Sequence, residues 1–174
     1  VAGERGPQYD AVRARLEVRL SRLSDLTGLV FIAPKEGDDP DVLVLLEDAI
    51  YVNFAKRFLY SVTYQIEDHA VVGMVVRIGT RPAIAEPQTV EERIGRCIDH
   101  ELMHGIGFIN HPFVSYLPTV LATHQSLQQR ARAWTVNDEI LMRALYDPRL
   151  TAGMSRDEAT PVLRQIIPEL IDDL

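Results

Sequence analysis

The stretch CIDHELMHGIGFINH, residues 97–111, gathers His100, His104 and His111, three of the five histidines in a chain of 174 residues. On an α-helix, a spacing of four turns a side chain through about 400°, so His100 and His104 leave the same face one turn apart. Two imidazoles placed this way can grip one small cation. Glu101 lies about 100° round from His100. Its carboxylate therefore stands beside such a cation and not on it, where it can accept a proton from a water molecule. The pattern H-E-x-x-H is that of zinc hydrolases, with Glu101 as general base.

Five residues cannot carry the assignment alone, because a catalytic zinc is held by three protein donors and keeps one position open. Gly105 and Gly107 fall where the helix is expected to stop, and a glycine there lets the chain reverse beneath the two histidines. His111, seven residues after His104, is the first candidate for third ligand. His124 and the acidic pair Asp138 and Glu139 remain open alternatives, whereas Asn110 is a poor zinc donor. Imidazole donors in four-coordination favour Zn2+ over other divalent ions. Asp99 adjoins His100 but points elsewhere on the helix, which predicts a solvated or capping role. His69 reads as a surface residue and Cys97 as a small buried apolar one.

The metal helix must be positioned by the rest of the chain. In "TVEE", Thr89 can cap while Glu92 reciprocates, so the helix should run from there to about Gly105 or Gly107. Val12, Leu16, Leu20, Leu23 and Leu26 recur every three or four residues and predict an amphipathic helix that stops at Gly28. Residues 29–33, 42–46 and 71–78 read as strands; Ala49 to Glu67 shows no clean period. A later helix should begin after Thr135, with Asp138 and Glu139 in its first turn, and the last one at Ser155 or at Thr160. Met142 and Leu145 should underlie the site as core, and Met154 should anchor a closing loop.

Composition narrows the class. The hydrophobic share is 47% and the charged share 25%, as in ordinary globular proteins. A net charge of −7 and a pI near 5.2 argue against a nucleic-acid surface, which needs clustered positive charge. A single cysteine permits no internal disulfide. No apolar run approaches the length of a membrane span. With neither repeat nor linker, residues 1–174 read as one domain, an upper part to about residue 107 and a lower part from 108, with a monomer favoured. A chain opening on Val1 fits a trimmed or processed product.

HELMHGIGFINH resembles the metzincin signature H-E-x-x-H-x-x-G-x-x-H at His100, Glu101, His104 and Gly107. It departs at the end, where the third histidine falls on His111, one residue late, and no Met-turn is evident. WTVNDEILMRALYDP is similar to the helix that follows the Met-turn in such proteases. LMRALYDPRLTAGMSRDEATPVLRQIIPEL resembles the C-terminal block of a zincin-like bacterial domain family of unknown function, found largely in exported or envelope proteins. That resemblance covers about residues 65–170. It implies an α+β, zincin-like fold, with a small mixed sheet over the HExxH helix and a C-terminal helical part. It also implies a zinc metallopeptidase acting on a peptide or protein substrate in the periplasm or envelope, with Tyr116 able to approach the metal or the oxyanion. The strand at 71–78 would be the cleft edge on which an extended substrate pairs. The alternative is a zincin-like binding protein that cuts nothing.

Overall fold

The computed structural model describes residues 7–35, 37–47, 60–79, 90–111, 118–122, 131 and 133–173. Their elements follow the order α1 (Pro7–Thr27), β1 (Val42–Glu47), β2 (Tyr60–Glu67), β3 (Ala70–Gly79), α2 (Val90–Gly105), α3 (Val136–Leu145) and α4 (Arg156–Asp172). The architecture is α+β, with four helices and a small mixed sheet. Among these residues no helix is long and apolar enough to cross a membrane.

The sheet has the order β1-β3-β2, with β1 parallel and β2 antiparallel to β3. Alternation along β3 turns Met74, Val76 and Ile78 to one buried face, joined there by Val44 of β1. That face packs with Ile94, Ile98, Leu102 and Met103 of α2 and with Val12, Leu16 and Leu23 of α1 in the main core. β2 lies in the stretch that showed no clean period, and it turns into β3 through Asp68 and His69, both at positive φ. This two-residue hairpin turn leaves His69 exposed, as expected of it.

Three expectations need correction here. Residues 29–33 form no strand: Leu29 and Phe31 rest on the core while Val30 and Ile32 are more than 80% exposed, and no described neighbour offers a ladder. Alternating burial makes such a segment look like a strand, but pairing is a tertiary property. The strand at 71–78 exists, yet β3 is hydrogen-bonded on both sides and presents no free edge to a substrate. Met154 does not anchor a loop and is exposed.

Asp99 departs furthest from its expected place. It is fully buried, not solvated, and accepts from Arg15 (2.5 Å) and from two nitrogens of Arg19 (2.6 and 2.8 Å). Trp134 Nε1–H donates to its carbonyl (2.8 Å), and Arg19 lies over the Trp134 ring. Arg22 of α1 meets Glu139 of α3 through two further bonds. α1 is thus a strut between α2 and the lower helices, fixed by carboxylates that match forked guanidinium groups. α3 and α4 share a second core of Ile140, Ala144, Ile166 and Leu170. α4 starts at Ser155, whose hydroxyl accepts from Glu158 N–H while Glu158 accepts from Ser155 N–H, so Pro161 falls inside the helix.

Replacing Asp99 with Ala leaves two guanidinium groups without their shared counter-charge. The expected loss of unfolding free energy is about 3 kcal/mol, read from a urea titration.

Candidate metal centre

α2 ends in a turn that serves the site. Phe108 N–H donates to Met103 O (3.1 Å) and Gly107 N–H to His104 O (3.0 Å), with Gly107 at φ +120°, the pair of bonds that closes a helix on a left-handed residue. Gly105 answers a different need, because a Cβ there would stand 2.4 Å from Met74 Sδ. Tyr146 Oη donates to Ile106 O (3.1 Å) and ties the turn to the end of α3. The chain then runs back past its own helix and delivers His111 to the face that carries His100 and His104.

The three imidazoles converge. His100 Nε2 lies 3.1 Å from His104 Nε2 and 3.0 Å from His111 Nε2, and ligating atoms from all three rings fall within 4.8 Å of one another. The opposite nitrogens of the helix pair are committed elsewhere: His100 Nδ1 donates to Val120 O (2.8 Å) and His104 Nδ1 to Phe108 O. With the proton on Nδ1, each Nε2 presents a lone pair to the common space. Nitrogens on a tetrahedral zinc stand about 3.3 Å apart, given bonds of about 2.0–2.1 Å. Lone pairs facing each other at this range repel unless a cation lies between them, so the donor set fits a metal ion.

Burial sets the charge states. His100 is pushed down to about 4, first by burial and then by the charges of His104, His111 and Arg96, against an opposing hydrogen bond to Val120. Burial also lowers His104. Neutral rings are the metal-binding form. Glu101 is pushed up to about 8 by burial alone, and its Oε2 has no hydrogen-bond partner among the described residues. A desolvated carboxyl on the residue next to His100 is a proton acceptor held near neutrality.

Asp138, one of the alternatives for third ligand, does a different job. Its carboxylate accepts from Thr119 Oγ1, Val120 N–H (3.2 and 3.3 Å), Thr135 N–H (2.8 Å) and Thr135 Oγ1 (2.9 Å). Val120 is therefore held on both sides, by Asp138 at its N–H and by His100 at its carbonyl. A fully buried carboxylate on α3 fixes the backbone that orients a ring on α2. Glu139 is occupied with Arg22, so neither acid joins the cluster. The helix start after Thr135, with Asp138 in its first turn, was legible in the sequence, but the capping box between them and its link to residues 119 and 120 were not. Met142 is buried core, as expected, and Leu145 touches the Gly107 turn. Tyr116 and His124 lie outside the described residues.

Fold and site together define an α+β protein with a three-histidine cluster able to hold a metal ion. The chain matches, over residues 1–165, the family described as "Protein of unknown function (DUF2927)", and it belongs to that family. The match takes in the N-terminal part that the sequence resemblance did not reach. No curated protein and no solved structure matches the chain.

Two predictions follow from these contacts. Asn at 138 would turn an amide N–H2 towards backbone N–H groups or hydroxyls that now donate to the carboxylate, so Asp138→Asn should weaken zinc binding by about 10–100-fold in a chelator competition. The ionisation of Glu101 is opposed only in the folded state, so its contribution is intact below about pH 4.5 and lost as pH rises through about 8. Glu101→Gln should therefore raise the stability of the metal-free protein by a few kcal/mol at pH 8 and leave it nearly unchanged at pH 4.5, measured by denaturant titration at each pH.

Proposed function

We propose that the protein is a zinc-dependent peptidase built on a zincin-like plan, with His100, His104 and His111 as the metal ligands. The observation that carries this reading is the meeting of the three imidazoles on a helix that also buries Glu101, whose Oε2 lacks a hydrogen-bond partner among the described residues. Zinc, when bound, supplies Lewis-acid polarisation and lowers the pKa of a water. Glu101 is the base: Oε2 takes a proton from the attacking water and passes it to the leaving amine nitrogen, so that one peptide bond and one water become a carboxylic acid and an amine. A nearby cation favours ionised Glu101 and shifts it from the proton-loaded towards the accepting form. Val120 and Phe108 hold the two helix imidazoles in the required tautomer through their carbonyls.

A zincin-like protein that binds metal or peptide without cutting is the second reading. The extra residue in the turn before His111, relative to the metzincin pattern, favours it. The two differ in one experiment, a peptide-library digest with zinc and with a chelator. Chelator-sensitive cleavage is expected, and its absence throughout removes the peptidase in favour of the binding protein. Glu101→Ala should retain one zinc per chain by elemental analysis and lose cleavage by at least a hundredfold, whereas His100→Ala should lose the metal. A Glu101→Ala protein that hydrolyses at the parent rate excludes the assigned base.

A further inference from the structure

α4 buries Ile166 and Leu170 in the core it shares with α3 and carries further apolar side chains on another face. Leu163 and Ile167 touch that core with one side; with Thr160, Arg164 and Pro168 they line a shallow groove on the outer side of the helix. Ile171, one turn beyond Ile167, is 53% exposed and is not part of that lining. Helix geometry sets it about 140° round from Ile166, away from the core. Each chain thus presents an apolar hole and, next to it along the helix, an apolar knob that it does not use itself.

The charges along α4 decide what fits. Arg164 is exposed at the groove, and the positions three and four away from it are Thr160, Pro161, Ile167 and Pro168, so no acid one turn away on its own helix balances it. The last turn holds acids and no base, although the dipole of a helix favours cations at that end. Arg149 answers Glu169 and Arg143 answers Asp173. Asp172 has only Pro168 and Glu169 one turn before it. A complementary surface must offer an apolar side chain with an acid beside it to the groove, and a cation to the acidic end. α4 itself has all three, in Ile171, Asp172 and Arg164.

We propose that α4 is the contact between two copies of this chain, packed antiparallel about a twofold axis near Ile167 and Pro168. In that register Ile171 of the second copy lies opposite Arg164 and enters the groove, and Asp172 beside it reaches the guanidinium. The twofold axis makes the same contact twice. A parallel pair sets Arg164 against Arg164 and acid against acid, which repel. α4 has 17 residues and is about 25 Å long, so one face of it covers less than the about 800 Å2 per partner of a standard interface. The pair therefore forms with rising concentration, and the monomer expected from the sequence is its dilute form. Nothing in this contact depends on the peptidase reading.

Sedimentation velocity of the whole chain between about 5 and 500 µM tests the pairing, with a Kd expected at about 10–100 µM. The mass should rise from one chain to two and stop there, because a twofold contact closes on itself. Ile171→Asp and Arg164→Glu should each raise Kd by at least about tenfold. Adding Asp172→Arg to Arg164→Glu should restore the dimer, since each reversed charge again faces its opposite. Arg164→Gln serves if circular dichroism shows that the Glu variant does not fold. Val18→Asp, at an exposed position on α1, should leave Kd unchanged. A single chain at every concentration gives the groove to a different occupant and overturns the proposal. So do assemblies larger than two, a dimer indifferent to both single substitutions, or a folded double variant that does not recover pairing.

Discussion

An imidazole has two nitrogens, and it can offer a lone pair to a metal in a fixed direction only if the other one is spoken for. In this protein the commitment is made by backbone carbonyls, Val120 for His100 and Phe108 for His104. Free rings would exchange tautomers and rotate about χ2, and the lone pairs would point together only a fraction of the time. Tying down Nδ1 turns two flexible side chains into one preformed half of a ligand set. Nearly every other feature around the cluster keeps those carbonyls in place.

The two carbonyls are secured by different means. Phe108 is local: it follows the Gly107 reversal, so the hydrogen bonds that end α2 also bring the acceptor under His104. Val120 is distant, twenty residues beyond His100, and its position depends on Asp138. Burying Asp138 takes a charge out of water, and four donors from Thr119, Val120 and Thr135 compensate it. α1 completes the frame, because its arginines hold Asp99 on α2 and Glu139 on α3. The lower helices and α2 therefore keep one relative placement, as a histidine cluster whose orienting contacts come from separate segments requires.

The charges divide by their role. Asp99 and Asp138 are buried and fully partnered, and they serve as anchors. Glu101 is buried on the residue next to His100, and its Oε2 has no hydrogen-bond partner among the described residues. Unsatisfied buried groups are costly, and a fold that keeps one of them next to convergent histidines is arranged for something that arrives later. Membership of a family described only as of unknown function adds no chemistry, so the functional reading rests on this local contrast.

Much of the helical framework was legible in the chain itself. The repeat of Val12, Leu16 and Leu23 marked α1, Gly28 its stop, and Thr135 and Ser155 the starts of α3 and α4. His100, Glu101 and His104 were legible too, since the period of a helix fixes which side chains share a face. Even His111 could be nominated, because Gly107 announced a reversal within reach of a single turn. All these signals are local, acting over a few residues through backbone geometry and capping. Tertiary packing alone decided the rest. Residues 29–33 are an apolar run like a strand's but find no partner among the described residues, the strand that reads as a cleft edge lies between two others, and Asp99 changes from a surface acid to a buried anchor because arginines eighty residues earlier fold onto it. Asp138 was visible only as a first-turn acid and an alternative ligand; that it holds the peptide orienting His100 is a contact between segments eighteen residues apart, and hydrogen bonds across such distances leave no period in a sequence.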